Sequence, residues 1–115
     1  MPRGEIRLVD LDLVKGSEAN QRRPAVIVSN DRANAVAARL GRSVVTVVPV
    51  TSNTGTVYPF HVLLAASATG LRRDSKAQAE QVRSVAVERL GAVLGQVCSD
   101  DMGRLDDAVR LHLQL

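Results

Sequence analysis

Ser43-Val44-Val45-Thr46-Val47-Val48-Pro49-Val50 is the most strand-like stretch of the chain, with six β-branched residues among its eight. Such side chains are stiff at χ1 and pack well on a pleated surface, so the stretch reads as a strand. Pro49 has no amide hydrogen to give to a ladder, which places it at the end of the strand or at an edge position. Downstream, Thr51-Ser52-Asn53-Thr54-Gly55-Thr56-Val57 is polar and turn-rich and leads into a second strand over Tyr58 to Ala65. Two strands joined this way predict a hairpin with a long loop.

Working back toward the N-terminus, Asp31 to Leu40 carries Ala33, Val36, Ala37 and Leu40 at i, i+3, i+4 and i+7, the spacing of one helix face. Asn30 or Asp31 supplies an N-cap, and Gly41 stands where a left-handed residue ends a helix. Ala25-Val26-Ile27-Val28, closed by Ser29-Asn30-Asp31, predicts a strand buried on both faces, with Pro24 at its start. Before it, Lys15 to Arg22 is a polar loop. Glu5-Ile6-Arg7-Leu8 alternates and predicts a first, half-buried strand ending near Asp12. Asp10 and Asp12 lack the further oxygen ligands of a calcium loop and suit a turn instead.

Toward the C-terminus, Ser67 to Asp74 reads as a loop. Residues Lys76 to Leu90 are ambiguous: helix propensity is high, yet Ala77 and Ala79 alternate with Lys76, Gln78 and Glu80 as in a strand. Gly91 breaks this stretch, and Ala92 to Cys98 resembles a short strand. Ser99 then predicts an N-cap, Asp100 and Asp101 suit the positive helix start, and Met102, Leu105, Val109 and His112 or Leu113 form an apolar face. Five or six short strands with two inserted helices make an α+β or small-barrel architecture. With 115 residues and no linker, repeat or low-complexity tract, residues 1–115 are expected to form one domain.

A hydrophobic share of 45% fits a globular protein, and Tyr58 and Phe60 are its only aromatics, so Val, Leu, Ile and Ala must fill the core. The formal charge of +3 rests on thirteen arginines and two lysines. Arginine is the side chain suited to bidentate phosphate contacts, so a nucleic-acid partner is permitted without being demanded. Cys98 stands alone, which excludes an intramolecular disulfide, fits a reducing cytoplasm and predicts a buried structural thiol. No apolar run approaches the length of a membrane span, and the N-terminus shows no signal-peptide core, so a soluble intracellular protein is expected.

Phosphate-loop, dinucleotide, zinc and nucleophile-elbow patterns are missing. His61 lies within a strand run and His112 along the last helix, which disfavours a two-histidine acid–base pair. What remains are two polar loops, Lys15–Arg23 and Thr51–Val57. Arg23 and Thr51 both sit at strand ends, where a sheet could bring a guanidinium and a hydroxyl together. Such a pair stabilises charge on a phosphoryl oxygen.

Arg3-Gly4-Glu5-Ile6, Val9-Asp10-Leu11-Asp12, Lys15-Gly16-Ser17-Glu18, Arg23 to Asn30, Val48-Pro49-Val50-Thr51, Tyr58-Pro59-Phe60 and Glu80 to Val85 together resemble the MazF/PemK family of toxins, in the family's order and spacing. These are the endoribonuclease halves of bacterial type II toxin–antitoxin modules. The resemblance implies a mainly-β, SH3-like (CcdB/PemK-type) small barrel with a C-terminal helix, working as a homodimer, and it makes residues 76–90 mostly strand. It implies cleavage of single-stranded RNA at short sequences, without metal or cofactor, by attack of the 2′-hydroxyl on the adjacent phosphate. Arg23 matches the family's catalytic arginine, Thr51 its catalytic threonine and Glu18 a loop glutamate that affects activity in some members. Lys15, Ser17, Asn20 and Gln21 in the first loop, Ser52 and Asn53 in the second, and Gln81 are the expected RNA-binding residues. A cognate MazE-like antitoxin with a disordered acidic tail is the expected partner. Two departures stand out: Arg7 replaces an aromatic residue found in many members, and Asn53–Val57 carries no charge where some members place a lysine. The runner-up is a non-catalytic binder on the same barrel, acting on DNA gyrase as CcdB does.

Overall fold

A computed structural model describes residues 1–11 and 22–115 of the chain. Its elements in chain order are β1 (Glu5–Asp10), β2 (Arg22–Ile27), α1 (Asp31–Leu40), β3 (Val44–Thr51), β4 (His61–Leu64), the one-turn α2 (Ala66–Thr69), β5 (Ser75–Gln78), β6 (Arg83–Ala86), β7 (Leu90–Gln96) and α3 (Ser99–Leu113). Short 3-10 turns at Ala79–Gln81 and Val87–Arg89 punctuate the second half. The strands run β4-β5-β3-β2-β1-β7, all antiparallel, with β6 also on β3.

Strand β3 organises the sheet. One edge pairs with β2 from Ala25↔Pro49 to Ile27↔Val47. The other edge has two successive partners: β6 faces Val44 to Val47, and β5 faces Val50 and Thr51. The sequence predicted Pro49 at the strand end or on an edge; instead it is buried inside β3, a central strand. Its missing N–H falls between the end of the β6 ladder and the start of the β5 ladder, where no donor is required. The expected β3–β4 hairpin is also replaced, because β5 lies between the two strands and pairs with both.

Both faces of β3 are covered, which is why its sequence is nearly continuously apolar. Val48 and Val50 join Ile6, Val26, Leu64 and Ala77 in a core closed by Met102, Leu105 and Ala108 of α3. Val45 and Val47 join Val9, Ala25, Ile27 and Val85 in a second core, capped by Ala37 of α1. Each buried valine or leucine contributes about 1.5–3 kcal/mol relative to exposure.

Helix α1 has the predicted bounds, with the Asn30 side chain accepting from the Ala33 amide at 2.8 Å and Gly41 at φ 66°. Its buried face differs: Asn34 and Ala37 are buried, whereas Val36 and Leu40 are exposed. Asn34 earns its place by bonding Ser29, its Nδ2 donating to the Ser29 carbonyl at 2.9 Å while the Ser29 hydroxyl donates to its Oδ1. In the last helix Ser99 is the first helical residue and Cys98 holds the cap position, exposed rather than buried. Val109 is half-buried, but His112 and Leu113 are exposed and leave the buried face to Asp101, Met102, Leu105 and Ala108. Gly91 does not break a strand but lies within β7. Residues 76–90 carry strand at Lys76–Gln78, Arg83–Ala86 and Leu90, as the family resemblance implied, with a 3-10 turn between each piece and the next. Arg3 ties the N-terminus down: its Nε donates to the Val28 carbonyl at 2.8 Å, and its guanidinium pairs with Asp106 of α3. Among the described residues no helix is long and apolar enough to cross a membrane.

One close approach sets a sharp requirement. A Cβ on Gly95 of β7 would stand 2.1 Å from the carbonyl oxygen of Thr69 at the end of α2. Gly95→Ala is expected to lower stability by at least about 1–3 kcal/mol through backbone displacement. A fall in the urea midpoint at unchanged m-value checks this.

Candidate active site

The β-ladders bring residues from five strands onto one face. Thr51 lies opposite Lys76, and Lys76 lies opposite Leu63 of β4. On the other side, the β2–β3 register continued two residues beyond Ala25↔Pro49 puts Arg23 opposite Thr51. Residues directly opposite in a ladder project to the same face. The row across the sheet is thus Val9, Arg23, Thr51, Lys76 and Leu63. The Arg23 Nη2 atom at 3.5 Å from the Val50 carbonyl oxygen agrees with that placement.

Arg23 differs from its expected setting. Strand β2 begins at Arg22, so Arg23 lies inside the strand, paired with Val9 of β1, rather than in the loop before it. Pro24 likewise is a third strand residue, paired with Leu8. The guanidinium reaches across β3, where Nη2 donates to Gln78 Oε1 of β5 at 2.6 Å. No carboxylate pairs with it among the described residues, in contrast to Arg3, Arg7, Arg89, Arg104 and Arg110, each of which has an acidic partner. A guanidinium held by a neutral amide keeps its full charge available for an anion.

Thr51 is half-buried at the end of β3, and its Oγ1 accepts from the Asn53 amide at 3.2 Å. Because the backbone N–H occupies an acceptor site, the hydroxyl proton remains free to donate. Asn53 spends its own Oδ1 on the Gly55 amide at 3.3 Å and so shapes the loop. Ser52 lines a separate cleft of about 530 Å³ together with Pro24, Leu71, Arg72, Arg73 and Leu94. Gln81 is exposed in the 3-10 turn after Gln78, with no hydrogen bond to Arg23 or Thr51. Lys15, Ser17, Glu18, Asn20 and Gln21, like Asp12, lie outside the described residues.

Two residues of this face were not singled out from the sequence. Gln78 orients the guanidinium, and Lys76 sits beside Thr51 with only 7% of its surface exposed. The signal was present in the alternation of Lys76 and Gln78 with Ala77 and Ala79, which puts the polar pair on one face and the alanines in the core. The departures noted in sequence also acquire partners: Arg7 donates to the Gly91 carbonyl at 2.8 Å and pairs with Glu5.

The histidines are placed against acid–base work. His61 Nδ1 accepts from the Tyr58 amide at 3.1 Å, which puts its proton on Nε2, 3.3 Å from Glu80 Oε2. Its side chain is 5% exposed and both ring nitrogens are engaged. His112 is exposed near the end of α3.

Comparison with known proteins places this geometry. A sequence profile described as a PemK-like, MazF-like toxin of type II toxin–antitoxin systems matches residues 2–113. The chain is 64% identical over 115 residues to endoribonuclease MazF9 of Mycobacterium tuberculosis, covering 100% of this chain and 98% of that protein. An endoribonuclease in complex with its cognate antitoxin from a mycobacterial species superimposes with a TM-score of 0.77 at 23% identity, covering 100% of this chain and 96% of that one. A MazE–MazF crystal structure from Deinococcus radiodurans gives 0.75 at 22% identity, covering 100% and 96%. At those identities the structures establish the shared fold: a mainly antiparallel sheet with a C-terminal helix, the SH3-like barrel expected from the sequence.

Because neither Arg23 nor Thr51 is needed to neutralise a buried partner, both are expected to be dispensable for folding. Arg23→Met and Thr51→Val should each unfold within about 1 kcal/mol of the parent chain in urea titrations.

Proposed function

Because the chain belongs to the PemK-like, MazF-like toxin family of type II toxin–antitoxin systems, we propose that it is a sequence-selective endoribonuclease toxin that cuts single-stranded RNA. The observation that carries this reading is an Arg23 guanidinium without a carboxylate partner, held over the end of β3 beside Thr51 by Gln78. The near-full-length identity to a protein named as an endoribonuclease supports it. A non-catalytic, gyrase-binding role gains no support, since the relative matched end to end carries an endoribonuclease name.

The RNA supplies its own nucleophile. Its 2′-oxygen bonds to the adjacent phosphorus, the bond from phosphorus to the 5′-oxygen breaks, and the products are a 2′,3′-cyclic phosphate and a 5′-hydroxyl. One proton leaves the 2′-oxygen and one is gained by the 5′-oxygen, so there is no net uptake. Arg23, always charged, neutralises the pentacoordinate phosphorane, and the Thr51 hydroxyl donates to one of its oxygens. Positioning and electrostatics suffice for such chemistry, and no metal or cofactor enters the scheme. Glu18, Lys15, Ser17, Asn20 and Gln21 in the first loop and Asn53 in the second are assigned to orienting the RNA and reading its unpaired bases. Ser52, which shares a cleft with Arg72 and Arg73, is assigned to a flanking nucleotide. Gln81, exposed beyond Gln78, is assigned a peripheral RNA contact.

The 115 residues act as one toxin domain, as a cytoplasmic homodimer, and are neutralised by a MazE-like antitoxin whose acidic, disordered tail folds over the basic site. A homologous fold solved with its cognate antitoxin supports that partnership.

The test is cleavage of single-stranded RNA in EDTA with analysis of the new ends. Arg23→Ala and Thr51→Ala should each lower the rate about 100- to 1000-fold, and the 5′ fragment should end in a cyclic phosphate. His112→Ala should cut at the parental rate. Intact RNA over varied sequence contexts, or cleavage that survives loss of both Arg23 and Thr51, would overturn the assignment.

A further inference from the structure

Thr51 has a cation on each side. Arg23 is its neighbour toward β2, and Lys76 is its paired neighbour on β5. At the usual interstrand spacing of about 4.8 Å, the two backbones stand about 10 Å apart with Thr51 midway. Both side chains project from the same face as the threonine.

The chemistry of Lys76 is unusual for a structural residue. Lysine is almost never fully buried unless paired, yet Lys76 is 7% exposed and has no carboxylate partner among the described residues. Its Nζ donates to a single neutral acceptor, the carbonyl oxygen of Thr56. An ammonium carries three donors, so two remain to be used. Withdrawing a cation from water without a countercharge is unfavourable, and neither a neutral carbonyl nor the neighbouring Leu63 supplies one. The carbonyl that it does bind belongs to the loop following Thr51, a loop that bears no charge of its own. The ammonium is thereby placed beside the segment between Thr51 and β4.

From these observations we infer that Lys76 is a second phosphate-binding cation of the RNA site. Its ammonium takes a backbone phosphate oxygen on the β5 side of Thr51, opposite the oxygen neutralised by Arg23, and completes its own donor set in doing so. The inference rests on the Arg23–Thr51 reading of the site. It adds a residue from a different strand, and it assigns Gln78, two ladder positions away on the same face, to holding the two cations apart through its bond to Arg23.

Salt dependence of binding separates a phosphate contact from a loop anchor. The probe is a mixed-sequence single-stranded oligodeoxyribonucleotide, which has no 2′-hydroxyl and cannot be cut. Lys76→Met is expected to weaken its binding about ten- to hundredfold at low salt. The slope of log K against log salt should shrink by about 0.7, the share of one phosphate on a single strand. Lys76→Arg should keep the parental slope. Lys76→Gln, which retains a donor for the Thr56 carbonyl but not the charge, should lose the slope as Lys76→Met does, and it serves in its place if Lys76→Met fails to fold. An unchanged slope in the uncharged variants, with or without slower RNA cleavage, overturns the proposal and leaves Lys76 as an anchor of the loop. Cleavage of RNA by Arg23→Ala is measured in parallel. Full activity there refutes the catalytic reading, while the binding slopes still decide the role of Lys76.

Discussion

The structure depends on one strand serving three neighbours. Strand β3 gives one edge to β2 and divides the other between β6 and β5. A strand of eight residues can do this only if the handover leaves no buried amide unpaired, since an unsatisfied buried N–H costs about 1–3 kcal/mol. Pro49, with no N–H, stands at the handover. The division turns the sheet so that β5 brings Lys76 and Gln78 alongside the end of β3, where Arg23 arrives from the other side. The handover thus shapes the barrel and assembles the site.

Charge is used differently in scaffold and site. Arg3 binds Asp106 to tie the N-terminus to α3, and Arg104 and Arg110 each pair with an aspartate one helical turn away. Around Thr51, by contrast, Arg23 is oriented by an amide and Lys76 by a carbonyl, both neutral. Neutral acceptors fix direction without cancelling charge, which is what a site for an anionic substrate requires. Uncompensated cations reduce stability, and the two valine-rich cores on either side of β3 offset that loss.

Local chemistry and tertiary context separate cleanly at several positions. Helix α1 was legible to the residue because its cap and its terminal glycine are local signals, and Asn30 and Gly41 do what their types favour. Its buried face was not legible: Asn34 displaces Val36 because Ser29, across a turn, satisfies its amide. Cys98 read as buried on composition grounds, but the start of α3 turns it outward. Residues 76–90 carried competing helix and strand signals, and pairing with β3 decided between them. The site was half legible, since Arg23 and Thr51 stood out beside polar loops in the sequence while Gln78 and Lys76 lay in the stretch whose local signals conflicted.

By itself the sequence determined the supply of parts. It contains β-branched runs that must be strands, one well-capped helix, a C-terminal amphipathic helix, an arginine-rich charge balance and motifs in an order shared with a toxin family. Tertiary structure decided strand order and register, because these depend on which distant segment meets which edge and not on local propensity. The placement of β5 between β3 and β4 makes Lys76 the neighbour of Thr51 and brings Gln78 within reach of Arg23. A cation twenty-five residues beyond Thr51 in sequence becomes its neighbour through a backbone ladder that no periodicity announces.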